Sequence, residues 1–343
     1  MPIPGLATLK RLPRRLRNRF APGGLILMYH RVIDATPDPW GSCVPPERFA
    51  EQMRVLRQSF RPVPLRELTA GHTPRAAPPP VAITFDDGYA DNLHTAAPLL
   101  EREDIPATVF VTSDGVGREG EFWADDLERL LLLPGNLPRR IRLAIDGRAL
   151  AWDLGEDAHY DTYAFDRHRS WKAFLASDPT ARHGLYRELY GLLQPMAEGT
   201  RERVLQELRQ QAGVGPGVRA THRFLSPDEL RSLAARELIE IGGHTATHPK
   251  LSRLSADDQR DEITRGKLAL EGALARPITS FAYPYGDHGP ETPSIVRQAG
   301  FSLACTTRHA AVRLGSDPFR LPRVWVGDWS AKEFAARLRQ WLD

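Results

Sequence analysis

Apolar residues in this chain come in short runs separated by stretches of helical spacing. Leu25 to Tyr29 is the first run and predicts a strand. Phe49, Met53, Leu56 and Phe60 then recur at helical spacing behind Pro45-Pro46, a helix start signal. A Pro/Ala-rich linker at 75–80 leads into Val81 to Phe85, a second strand ending in Asp86-Asp87-Gly88. A helix around Ala96 to Glu103 precedes a strand from Ala107 to Thr112. Ser226-Pro227-Asp228-Glu229 reads as a capping box with proline at the first helical position. Its helix runs into a strand at Leu238 to Ile241. Ser255 and Asp258 open a helix through Leu270, and strands follow around Ser280 to Tyr283 and Phe301 to Thr306. Repeated βα units predict a parallel sheet or barrel.

Residues 115–221 break this rhythm. They carry Phe122-Trp123-Ala124-Asp125-Asp126, a leucine run at Leu130 to Leu133, and helical stretches rich in Arg, His and Trp. They read as a mostly helical insertion at the end of the sheet where substrate selectivity is built. The expected organisation is a basic segment at 1–24 and an α/β body at 25–343, interrupted at 115–221.

Composition narrows the partners. With 343 residues, 41% hydrophobic, the chain can bury a large core. A net charge of +3 argues against nucleic acid as partner. The 2 cysteines, Cys43 and Cys305, are far apart and in no metal-like spacing, so a reducing compartment is expected. The basic start lacks the long apolar core of a signal peptide. A cytoplasmic protein is therefore expected. Lys10, Arg11, Arg14, Arg15, Arg17 and Arg19, interleaved with apolar residues, could touch the anionic inner face of a membrane weakly.

Four constellations carry chemistry. Asp86 and Asp87 stand at a strand tip, where parallel folds build sites. Adjacent strand residues face opposite ways, but Gly88 frees the backbone so that both can approach one site in different roles. His244 and His248 follow another strand at a spacing that allows chelation. One carboxylate and two histidines suffice for a catalytic metal with open positions. The turn Tyr283-Pro284-Tyr285-Gly286 can aim a backbone N–H at a developing oxyanion and wall a sugar-sized groove. His30, at the tip of the first strand, suits a proton donor.

Thr84-Phe85-Asp86-Asp87-Gly88, His244-Thr245-x-x-His248-Pro249 and Tyr283-Pro284-Tyr285-Gly286 resemble the ordered motifs of polysaccharide deacetylases, carbohydrate esterase family 4. The resemblance covers residues 25–113 and 222–328. It implies a distorted (β/α)7 barrel and a hydrolase that removes N-acyl groups from amino sugars with a divalent metal. It makes Asp86 the general base and Asp87, His244 and His248 the metal ligands. Many members carry an arginine where Ala282 stands; Arg323 is the candidate replacement. The first-strand Tyr29-His30 is similar to the poly-N-acetylglucosamine deacetylase branch and makes His30 the general acid, with His309 second. The backbone N–H of Tyr285 would hold the oxyanion. Tyr89, Tyr283 and Trp325 are the candidate substrate contacts. Zn²⁺ fits these ligands, and Co²⁺ or Ni²⁺ would also bind. The competing readings are a deformylase or amidohydrolase acting on a lipid-linked or non-sugar amide, and a non-catalytic carbohydrate-binding protein on the same barrel.

Overall fold

The computed structural model describes residues 23–342 apart from 71–77, 176, 216 and 314. The basic N-terminal segment up to residue 22, with its expected membrane contact, and the first half of the Pro/Ala linker lie outside the described residues.

Seven parallel strands make the central sheet. They are β1 (Leu25–Tyr29), β2 (Pro80–Phe85), β3 (Ala107–Val111), β4 (Ile239–Gly243), β5 (Ser280–Ala282), β6 (Leu303–Cys305) and β7 (Val324–Trp325). Their order is β6-β5-β4-β3-β2-β1-β7, with the short strand Arg61–Pro62 also pairing with β2. The sheet curls until a single bridge from Cys305 to Leu321, just ahead of β7, links its two ends. That is a distorted barrel. β1 to β3 are buried along their whole length, as strands covered on both faces should be.

Helices cover the outside: α1 (Pro46–Ser59), α2 (Ala97–Arg102), then, past the insertion, α6 (Pro227–Ala234), α7 (Ala256–Leu274), α8 (Thr292–Gln298) and α9 (Ala331–Leu342). α1 buries Phe49, Met53 and Leu56, the spaced residues of the sequence pattern. Ser226 and Glu229 form the expected reciprocal capping box on α6. A π-helical turn at Asn92–Ala96 runs into α2 and lets Asn92 donate to the His30 carbonyl (3.0 Å). This fixes the chain at the tip of β1.

The insertion has its own apolar cluster. Its main helices are α3 (Trp123–Leu132), α4 (Ala181–Leu193) and α5 (Glu198–Ala212). An antiparallel hairpin, Arg140–Ile145 with Arg148–Asp153, adds strands to this mostly helical insertion. Ile141, Leu143 and Ile145 alternate inward, and Asp146-Gly147 turn with positive φ, the pattern of a tight two-residue hairpin.

Where insertion meets barrel, buried charges pair. Arg31 binds Asp91, and Arg219 binds both Glu121 and Glu128, each at 2.8 Å. One guanidinium thus serves two acids. Burial, with Asp125 alongside, raises the Glu128 carboxyl to about 8 despite Arg219. Folded Glu128 therefore keeps a proton that the unfolded chain, near 4.5, releases. Its contribution is complete below about pH 4.5 and is lost as pH rises through about 8, with a slope of up to about 1.4 kcal/mol per pH unit. Thermal unfolding between pH 5 and 9 should show stability falling with pH, and Glu128→Gln should flatten that slope. An unchanged slope in the variant would assign it elsewhere.

Candidate metal and catalytic site

The tips of β1, β2, β4 and β5 and the loop before β7 converge on one point. Beyond β2, the Asp86 N–H donates to the Tyr29 carbonyl (3.1 Å), tying the tip to β1. Its carboxylate is forked by Arg323, from Nη1 at 2.6 Å and Nη2 at 2.7 Å. Arg323 is fully buried and also donates to the Thr306 carbonyl and Thr84 Oγ1. Burial alone would raise the Asp86 carboxyl. Arg323, with the charges of His244 and His30, more than offsets that and holds it below the usual range.

Asp87 turns the other way. Its φ of 77° is left-handed, and Gly88 follows at 86°. A Cβ on Gly88 would lie 3.0 Å from Val111 Cγ1, so both torsion and space favour glycine there. The reversal points Asp87 at the histidines. His244 Nε2 lies 3.5 Å and His248 Nε2 3.3 Å from Asp87 Oδ1. His244 Nδ1 sits 2.8 Å from the Ala282 carbonyl. A carbonyl only accepts, so Nδ1 donates to it and Nε2 is the nitrogen that faces Asp87. Burial would raise Asp87, but hydrogen bonds to His244 and His248 hold it well below the ordinary carboxylate range.

These residues fit a divalent ion. The ligand atoms of Asp87, His244 and His248 lie within 4.8 Å of one another. Two ligands each about 2.0–2.1 Å from a tetrahedral ion stand about 3.3 Å apart, which the two Asp87–histidine separations match. Asp87, Thr245 and His248 all have left-handed φ without being glycine, and such strain persists where the surrounding structure enforces it. Glu262 of α7 is that enforcement. It accepts from the Ala246 and Thr247 N–H groups and the Thr247 hydroxyl. Gly266 lets α7 approach, since a Cβ there would meet the Thr245 carbonyl carbon at 2.6 Å. A second group, Asp125, Glu128 and His222, is equally compact, but burial raises both carboxyls and Arg219 already binds Glu128.

Other expected residues fall in different places. His30 is half-buried, its Nδ1 without a partner, near enough for its charge to lower both Asp86 and Asp87. Tyr285 turns at φ 58° and lays its ring 4.5 Å from that of His248. Trp325 lines an open groove of about 450 Å³ together with Phe174 and Trp329. Two substrate contacts need correction. Tyr283 is fully buried and gives its hydroxyl to the Phe319 carbonyl (2.8 Å). Tyr89 is buried under Arg31, stacked on Phe224, and donates to Asp125 (2.7 Å). Both spend their polar tip on the fold. His309 is exposed, its ring against Trp341 of α9. The sequence reading missed Phe122, whose ring meets His248 at 5.2 Å, and Trp123 and Arg201 beside Tyr285. They arrive from the insertion, whose placement no local pattern reveals.

The sequence profile of polysaccharide deacetylases matches residues 74–135 and 201–304, on either side of the insertion. YxkH of Bacillus subtilis (strain 168), assigned to the same group, is 28% identical over 105 residues. That match takes in 31% of this chain, and the chain spans 38% of that relative's length. Among solved structures, IcaB from Ammonifex degensii aligns at TM-score 0.56 and 22% identity, over 92% of this chain and 97% of that one. The polysaccharide deacetylase BA0330 from Bacillus anthracis aligns at TM-score 0.56 and 15% identity, over 93% and 70%. At such identities these two likenesses establish the fold.

Proposed function

The chain belongs to the polysaccharide deacetylase family, and on that premise we propose that it hydrolyses the N-acyl, most simply N-acetyl, group of an amino sugar with a divalent metal. One observation carries this reading: three metal-type ligands, Asp87, His244 and His248, converge beside a buried carboxylate, Asp86, held ionised by Arg323. Zinc suits a site of two imidazoles and one carboxylate.

When bound, the ion polarises the acyl carbonyl and acidifies the attacking water. The chain's own groups do the rest. Asp86 accepts the water's proton, and Arg323 keeps it oriented for that task. The Tyr285 backbone N–H, in its left-handed turn, holds the developing oxyanion. His30 gives a proton to the departing amine. A C–O bond forms, the amide C–N bond breaks, and a carboxylate and a free sugar amine leave. Trp325, part-exposed in the open groove, offers ring surface for a neighbouring sugar. The expectation of a cytoplasmic reaction, at the inner membrane face, belongs to this same proposal.

The test is release of the acid and appearance of the amine from N-acylated amino sugars in equal amounts. Within that assay, His30→Ala should retain metal and lower turnover by about 10²-fold or more, the scale of a lost general acid. His309→Ala should change it little, because that ring lies exposed against α9. The reverse ranking would move the acid to His309.

A further inference from the structure

Beside the metal ligands lies a second cluster that the reaction itself leaves unused. Arg201 of α5 is 2% exposed, yet its Nε and Nη1 have no hydrogen-bond partner. Trp123 Nε1 of α3 and the Tyr285 hydroxyl are also buried without a partner. Arg201 lies over the Trp123 ring, 5.2 Å from its centroid. The Tyr285 hydroxyl sits near both Trp123 and Arg201 but out of hydrogen-bond alignment with either. No described carboxylate pairs with Arg201; on its helix, Glu198 is taken by Arg118 at 2.6 Å and Glu202 by Arg209 at 2.7 Å. Lys250 Nζ is 5.9 Å from the Tyr285 ring centroid, and no described acid pairs with it either.

Buried donors are normally satisfied, and a buried charge is normally paired. Here three donors, one of them a full positive charge, converge around Tyr285 with only its hydroxyl oxygen close by and no described acid to balance the charge. A neutral sugar hydroxyl would serve one donor and leave the charge uncompensated. An anionic oxygen group serves all three at once. The insertion supplies Arg201 and Trp123, and the barrel supplies Tyr285 and Lys250, so the cluster exists only where the two meet.

We infer that this cluster binds an anionic substituent, a phosphate or carboxylate, carried by the N-acylated sugar close to the scissile amide. The inference rests on the deacetylase reading and narrows its substrate class to charged amino sugars. The neutral and charged ends are then read by different parts: the metal triad takes the acyl group, and Arg201, Trp123 and Tyr285 take the charge.

The test compares kcat/KM of the metal-loaded protein on three substrates: N-acetylglucosamine 1-phosphate, an N-acetylated aminouronic acid and a neutral N-acetylglucosamine trimer. A preference for one or both charged sugars is expected, and which is preferred tells phosphate from carboxylate. Arg201→Gln should reduce the charged-to-neutral ratio by at least about thirtyfold, the lower range for removing one partner of a buried charged pair. The loss should fall mainly in KM. Arg201→Lys should restore part of the ratio. Trp123→Phe, which keeps the ring under Arg201 but removes the N–H, should reduce it less, and guards against a folding defect in the arginine variants. Equal use of neutral and charged sugars, or a ratio unmoved by Arg201→Gln, would overturn the inference and leave the deacetylase reading standing. So would competition by free acetate as strong as by the charged sugars, which would make the cluster a seat for the released acid. If no sugar is hydrolysed, equilibrium binding of N-acetylglucosamine 1-phosphate decides: binding lost in Arg201→Gln upholds the anion site while the activity reading falls, and absent or unchanged binding ends both.

Discussion

Replacing His244 and His248 together with alanine is expected to reduce bound metal from about one equivalent to none and to abolish hydrolysis. Two of the three ligands vanish, and Asp87 alone cannot hold a divalent ion against water. The loss should be specific. His244 also gives a hydrogen bond to the Ala282 carbonyl, worth about 1 kcal/mol, and His248 packs between Phe122 and Tyr285. Some destabilisation is therefore expected, but the curled sheet and its core lie below the site and should persist. Elemental analysis beside circular dichroism separates these effects. A folded double variant that keeps stoichiometric metal would remove Asp87, His244 and His248 from the metal site.

Asp86→Asn should keep the metal and lose activity by about 10²–10⁴-fold, the scale of a lost general base. Stability should also fall, because Arg323 is fully buried and would lose its counter-charge. Breaking one side of a buried ion pair costs about 3–5 kcal/mol. Activity must accordingly be normalised to folded protein. If Asp86→Asn instead empties the metal site while Asp87→Asn leaves it filled, the roles of the two acids are exchanged.

Much of this site is legible in the sequence because it sits on strand tips. A short apolar run followed by Asp86-Asp87-Gly88 locates the end of a buried strand, and the run before His244 does the same. Chain topology then brings the two together. Arg323 is legible only as a candidate through the missing arginine at Ala282; the two-residue strand it precedes, β7, is too short to leave an apolar pattern. Tyr89 and Tyr283 show the limit of reading a motif aromatic as a ring that faces substrate. Their neighbours in sequence are in the site, but their own side chains point into packing and spend their hydroxyls on Asp125 and Phe319. The hairpin at 140–153 had a readable signal, alternation around Asp146-Gly147, that the surrounding helical stretches obscured. Phe122, Trp123 and Arg201 had none, since their approach to His248 and Tyr285 is set by how a separately packed insertion docks on the barrel.

In the proposed reaction, Asp87, His244 and His248 hold the ion on which N-acyl hydrolysis depends. The direct measurement is acid release from a panel of neutral and charged N-acetylated amino sugars, using protein stripped with a chelator and then reloaded with one equivalent of zinc, cobalt or nickel. No release is expected from stripped protein, with recovery on reloading with at least one of these metals and no recovery in the His244→Ala/His248→Ala variant. Hydrolysis by fully stripped protein, or recovery in the double variant, would contradict it.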